Sequence, residues 1–314
     1  MNTTTIAAKP TGAAPRAHLF GVSAAMVTPF TETGAVDCER AAGHAVRVIE
    51  EGADGITLFG TTGEGSSLGL RDREELLSAV LDAGIAPSRI TAGIAASDLE
   101  MAETQARMVF QRGVRRLLLA PPFYFKGITA EALHDWVADF VARVSDAQPQ
   151  IILYHIPQVT AVGFAPETVR RIKQTCGDAI FGVKDSGGDW SLTSKLLPME
   201  DLAILIGDER SLARAAPLGG AGAISGMANL VPRRVGAMVR QGQADPALDA
   251  FVEEVVTVPV TPMVKALVGA MRSDPAWTRT RLPLSQADVA AVNRLADVLA
   301  VLRQQEIEIT GGAR

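Results

Sequence analysis

Residues 180–185 read Ile180-Phe181-Gly182-Val183-Lys184-Asp185, and the architecture of the chain turns on this stretch. It is a short, mostly apolar run bounded by Gly177 and by Gly187-Gly188, the pattern of a buried parallel strand. The run reaches a cation, Lys184, and that needs a reason. One reading has Lys184 capping the strand in water or pairing with Asp185. The other puts it at the C-terminal end of a barrel strand, facing the active mouth, where low dielectric favours a neutral, nucleophilic amine.

Working outward from this run, apolar stretches alternate with amphipathic ones eight times from Phe20 onward. The apolar runs are Gly21 to Thr28, Gly55 to Phe59, Ile90 to Ala95, Arg116 to Ala120, Ile151 to Ile156, Ile180 to Lys184, Leu202 to Gly207 and Gly222 to Ala228. Helices are expected over 37–51, 71–83, 98–112, 129–144, 166–175, 191–197, 210–218 and 231–241, several with start signals such as Thr129 before Glu131 and Pro166 before Glu167. Strict alternation implies parallel strands with right-handed crossovers, and eight units point to a closed α/β barrel of the TIM (β/α)8 type over 20–241. An open doubly wound sheet is the competing fold. It fits less well, because Thr28-Pro29-Phe30 after the first run carries no GxGxxG. Periodic segments at 246–258, 261–271 and 285–304, separated by Pro262 and by Pro275 to Pro283, form a C-terminal helical extension over 242–314.

Composition narrows the function classes. The chain has 314 residues, 47% of them hydrophobic, a formal net charge of −5 and scattered lysines and arginines, so a nucleic-acid partner is not expected. Cys38 and Cys176 lie far apart, and no two of the four histidines pair at HxH or HxxxH spacing, so neither a disulfide framework nor a metal site is expected. Residues 1–19 lack the apolar core of a signal peptide and read as a disordered leader. With no apolar run long enough to span a bilayer, no membrane association is expected and the location is read as cytoplasmic.

In a barrel the chemistry belongs at the C-terminal ends of the strands. The second run ends in Gly60-Thr61-Thr62-Gly63-Glu64-Gly65-Ser66, whose backbone N–H groups and hydroxyls suit a carboxylate or phosphate, although a tight glycine turn reads equally well from composition. No Gly-Lys-Ser/Thr follows, so it is not a Walker loop. The fourth run ends in Pro121-Pro122-Phe123-Tyr124, and the fifth contains Tyr154; these are the two tyrosines of the chain. His155, next to Tyr154, should point outward to the helices. A lysine amine has a reference pKa of about 10.4 and must be tuned down to act as a nucleophile. Such an amine attacks the ketone of a 2-keto acid while the cradle holds the carboxylate and a tyrosine hydroxyl moves protons.

The GTTGE after the second run, Pro121 to Tyr124, Tyr154-His155-Ile156-Pro157, Gly182-Val183-Lys184, Gly207-Asp208-Glu209 and Gly222-Ala223-Ile224-Ser225 together resemble the dihydrodipicolinate synthase and N-acetylneuraminate lyase superfamily, from about Phe20 to about Leu302. The resemblance implies a class I pyruvate-dependent aldolase, homotetrameric or dimeric, with no cofactor beyond the covalent imine on Lys184. It implies Lys184 as the Schiff-base lysine and Tyr154 as proton shuttle. Thr61 joins Tyr154 to Tyr124, and Tyr124 reaches into a neighbouring subunit. Gly60, Thr61 and Thr62 bind the keto-acid carboxylate, and Ile224 presents a backbone carbonyl near the imine.

One position departs from the synthase branch, which reads Tyr-Asn-x-Pro-x-Arg-Thr-Gly on the fifth strand and uses the arginine to bind aspartate semialdehyde. Here Val159 stands in that place, and a valine cannot form a bidentate carboxylate clamp. The lyases and 2-keto-3-deoxy sugar acid aldolases lack that arginine and use polar groups after the seventh strand, where Glu209 and Arg210 fall here. The expectation is therefore an aldolase or lyase joining pyruvate, or a related 2-keto acid, to an aldehyde, with a keto sugar acid or N-acetylneuraminate-type substrate. Dihydrodipicolinate synthesis, a 2-keto-3-deoxy acid dehydratase and a non-catalytic keto-acid-binding barrel are the alternatives.

Overall fold

A computed structural model describes residues 19–311, with side chains to Glu306. Of the expected leader, residues 1–18 lie outside the described residues; Leu19 is exposed. The barrel strands are β1 (Gly21–Ala25), β2 (Gly55–Leu58), β3 (Ile90–Ile94), β4 (Arg116–Leu119), β5 (Gln150–His155), β6 (Ile180–Asp185), β7 (Ala203–Ile206) and β8 (Gly222–Ser225). All pair in parallel and in chain order, and β1 closes the sheet by pairing with both β2 and β8. Every expected strand is present. The ends are shorter where the chain leaves the ladder, as at Met26 to Thr28 and after Ser225, where Met227–Asn229 makes a turn of 3-10 helix.

The helices are α1 (Cys38–Glu50), α2 (Leu70–Asp82), α3 (Leu99–Gln111), α4 (Ala130–Val144), α5 (Pro157–Thr160), α6 (Pro166–Cys176), α7 (Trp190–Leu196), α8 (Leu212–Ala215), α9 (Pro232–Gln241), α10 (Pro246–Val255), α11 (Val260–Arg272) and α12 (Val289–Gly311). Their starts follow from local chemistry. Asp37, Asp98, Thr129 and Asp245 each accept a first-turn N–H through the side chain, and Pro166, Pro232 and Pro246 open their helices where no N–H partner is needed. The single helix expected over 210–218 is instead broken: α8 is preceded by a 3-10 turn at Glu209–Ser211 capped by the Asp208 side chain, and it gives way to another at Ala216–Leu218, where Pro217 supplies no N–H to continue the ladder. The one-turn α5 was not expected. Pro262, read as a separator, sits in the first turn of α11, where a proline costs nothing.

Two apolar layers hold the barrel. Helix faces pack on the outward strand residues, while a smaller cluster including Ala25, Leu118, Ile152, Tyr154, Leu205 and Ile224 fills the interior. Tyr154 and Lys184 are direct partners in the β5–β6 register, so both belong to the inward set. The alternate residues point out. His155 accepts the Phe164 N–H at 2.9 Å through Nδ1, and Asp185 accepts the Thr193 hydroxyl at 2.6 Å and the Gly187 N–H at 2.9 Å. This disposes of the Lys184–Asp185 pairing. After the barrel, α11 is buried over nine consecutive residues from Thr261 to Gly269, as a helix enclosed on all sides must be.

Candidate active site

Lys184 is 6% exposed, and its Nζ donates to the Tyr154 hydroxyl at 3.3 Å, with the amine 4.3 Å from the centre of the Tyr154 ring. The Tyr154 hydroxyl also shares a hydrogen bond with Thr61 Oγ1 at 3.4 Å. An amine, a phenol and an alcohol thus form one chain of exchangeable protons. It runs from the barrel interior to a small cavity of about 90 Å3 lined by Gly60, Thr61, Tyr154 and Val159, with Phe59 and Phe123 among the apolar walls. That space suits a molecule of a few heavy atoms.

The loop after β2 presents donors because its carbonyls are occupied. Thr28 Oγ1 donates to Gly63 O, Thr261 Oγ1 to Thr61 O, and Arg281 to Ser67 O. The buried Arg73 guanidinium donates to Gly65 O, Leu68 O and Gly93 O, and burial without a carboxylate pulls its pKa down to about 10. Phe59 and Glu64, with φ of 62° and 54°, adopt left-handed backbone at either end of the loop. Phe59 turns its carbonyl so close to Gly65 that a Cβ there would lie 1.8 Å away, which requires the glycine. Among the described residues the N–H groups of Thr61 and Thr62 and the Thr62 hydroxyl have no hydrogen-bond acceptor, which leaves three donors for an oxyanion.

Of the remaining candidates only Val159 borders the cavity. Ile224 lies on β8 with its side chain in the barrel interior. Glu209 is buried, and its Oε1 accepts the Ser225 hydroxyl at 2.6 Å and the Met227 N–H at 3.2 Å, tying the ends of β7 and β8 together. Burial pushes the Glu209 carboxyl up, against the lowering by these bonds. Arg210 is held by both oxygens of Asp208, at 2.9 and 2.8 Å. Val159, on α5, is 59% exposed at the cavity rim. Tyr124 is 75% exposed, with its ring edge-on to Phe125 at 5.2 Å, and within one chain its hydroxyl meets neither Thr61 nor any other described group. The hydroxyl relay in a single chain ends at Thr61.

Sequence reasoning missed the groups that support the site from outside. Asn229 donates to Ala25 O at 2.7 Å and Gly226 O at 2.9 Å, accepts from Val27 N–H, and meets His44 Nε2 at 3.2 Å. Lys265 on α11 forms a fully buried ion pair with Glu64. A lysine inside Val264-Lys265-Ala266-Leu267-Val268 is a signal that could have been read. Among the described residues no three His, Cys, Asp or Glu side chains gather as a metal site, and no helix is long and apolar enough to cross a membrane.

Known proteins are similar to this chain in sequence and fold. The family model described as the dihydrodipicolinate synthetase family matches residues 18–273. An uncharacterized DapA-like lyase of Chloroflexus aurantiacus is 32% identical over 87% of this chain and 94% of its own length. A 4-hydroxy-tetrahydrodipicolinate synthase of Acidothermus cellulolyticus is 34% identical over 73% of this chain and 74% of its own. The crystal structure of dihydrodipicolinate synthase from Agrobacterium tumefaciens superimposes with a TM-score of 0.87 at 43% identity, covering 90% of this chain and 99% of that one. With the closed eight-stranded barrel and a buried lysine on its sixth strand, these matches make the chain a member of the dihydrodipicolinate synthetase family, the pyruvate-dependent lyases.

Proposed function

We propose that the protein forms an imine between Lys184 and pyruvate, or a closely related 2-keto acid, and makes or breaks a carbon–carbon bond to an aldehyde that carries no carboxylate near Val159. The contact that carries this reading is Lys184 Nζ on the Tyr154 hydroxyl, with Thr61 next in line. The free N–H groups of Thr61 and Thr62, with the Thr62 hydroxyl, hold the keto-acid carboxylate. The Lys184 amine then attacks the ketone, and Tyr154 delivers and removes the protons that turn the carbinolamine into imine and water. The imine draws electrons from C3. Loss of a C3 proton gives an enamine that adds to an aldehyde, and the reverse steps cleave the bond. The catalytic unit is the barrel of residues 20–241; the extension over 242–314 supports it.

Two features favour a sugar-acid type of partner over aspartate semialdehyde. Val159 stands at the rim where the synthase branch has its arginine, and Arg210 is already bound by Asp208. Dihydrodipicolinate synthesis is the second reading, favoured by the names of the relatives. The Tyr124 hydroxyl, unpartnered in one chain, completes the relay when the partner subunit's Tyr124 enters this site, so the working form is a dimer or tetramer.

Borohydride reduction with pyruvate, followed by intact mass and peptide mapping, tests the imine. One reduced pyruvate on Lys184 supports it; no adduct on folded protein with pyruvate in excess refutes it. Screening 2-keto-3-deoxy sugar acids against pyruvate plus aspartate semialdehyde then separates the two readings.

A further inference from the structure

The loop that presents the Thr61 and Thr62 donors is fastened to the C-terminal extension at two points. Thr261 Oγ1, in the first turn of α11, donates to Thr61 O at 3.2 Å. One turn further along the same helix, Lys265 pairs with Glu64, both side chains at 0% exposure. The second Glu64 oxygen accepts the Arg281 N–H at 2.9 Å. Lys265 and Arg281 also lie over the Phe30 ring, at 4.3 and 4.8 Å from its centre, so the loop after β1 is drawn into the same clasp. Glu64 itself sits in left-handed backbone, a conformation that persists only where its surroundings impose it.

We propose that Lys265 and Thr261 are positioning residues for carboxylate recognition, the extension setting the Thr61 and Thr62 N–H groups through Thr61 O and Glu64. This rests on the imine reading above. The geometry has a direct consequence for the peptide planes. Holding Thr61 O outward fixes the plane that carries the Thr62 N–H, and Glu64, three residues after Thr61, fixes where the loop turns back. Without the clasp Thr61 O keeps only the Glu64 N–H at 3.1 Å, a bond within the loop itself, and the amides gain freedom to rotate away and donate to water. The substrate ketone, placed by Lys184 and Tyr154, is untouched by this change. The clasp therefore controls selection of the acid and not imine chemistry as such.

The test compares pyruvate with methyl pyruvate, which offers the same ketone with its carboxylate esterified, by borohydride trapping over a range of concentrations. Lys265→Met alone leaves a buried unpaired carboxylate, so the variant to use is Glu64→Gln/Lys265→Met, which removes both charges and keeps the packing. The expected result is a half-saturating pyruvate concentration at least tenfold higher, with methyl pyruvate changed less than twofold. Equal weakening of both ketones would show general damage and overturn the proposal, as would no change in either. If the double variant does not fold, Thr261→Val removes a single hydroxyl, and a rise of about threefold for pyruvate alone is expected; no rise overturns the idea. Wild-type protein that traps neither ketone refutes the imine reading itself, a result separate from all of these.

Discussion

Lys184 and Tyr154 face each other because both alternate inward from neighbouring strands, and their roles predict different losses. Lys184→Ala removes the nucleophile, so turnover and the borohydride adduct both disappear; normal turnover in this variant ends the mechanism. Tyr154→Phe keeps the amine and the cavity but loses the proton shuttle. It should still trap pyruvate on Lys184 and turn over about 10²–10⁴-fold more slowly in a steady-state assay. A different residue, His44, contributes to the loss of stability in acid. Asn229 spends its amide on two carbonyls, so its oxygen accepts from His44 Nε2–H, and His44 Nδ1 accepts from Arg272. Burial, reinforced by Arg272, lowers the His44 pKa to about 3. Between the unfolded value of about 6.5 and this folded value, the unfolded chain binds the extra proton, so stability is lost as pH falls; about 2 kcal/mol goes between pH 7 and 5. His44→Gln should flatten that part of the stability curve in urea titrations. An unchanged slope would mean that His44 is protonated in the folded protein.

At the scale of the element, period and caps made the strands and most helices readable, since each depends on residues within a turn or two of one another. What escaped was set by packing or by a single residue type. Pro217 ended α8 short of the helix expected over 210–218, and α5 is one turn seated over the cavity on the strength of Pro157 and the loop after β5. The loop after β2 reads from its glycines and threonines as a candidate oxyanion cradle, with a tight turn as the competing reading. What frees its N–H groups could not be read from it, because its carbonyls are satisfied by Thr28, Arg73, Thr261 and Arg281, from four other parts of the chain. The specificity prediction also belongs here. Val159→Arg on α5 supplies the bidentate cation that the synthase branch carries, so kcat/KM with pyruvate and aspartate semialdehyde should rise at least tenfold while pyruvate trapping stays the same. No rise would show that the rim of α5 does not face the second substrate.

For the whole molecule, the exposed Tyr124 beside Phe125 and Phe123 leaves an aromatic edge at the mouth of a single chain. A site completed by the partner subunit's Tyr124 loses activity as the assembly is diluted apart, in step with the dimer or tetramer fraction seen by sedimentation. Tyr124→Phe should produce the same loss without dissociation. Undiminished specific activity in a proven monomer removes Tyr124 from the relay. The extension is part of the same assembly of site and support: α11 lies buried against the loops after β1 and β2 and cannot be treated as an appendage to the barrel.

The sequence by itself determined the eight-unit barrel, the inward lysine at the end of β6 and the tyrosine one strand away, because strand alternation and the pairing of consecutive parallel strands are local rules that carry residues 30 apart into contact. Only the tertiary structure decided that Glu64 meets Lys265 across 201 residues and that Glu209 braces β8. Those pairings depend on where the closed barrel and α11 place distant side chains. No local period encodes them, and the cost of leaving a buried charge unpaired enforces them only once the chain has folded.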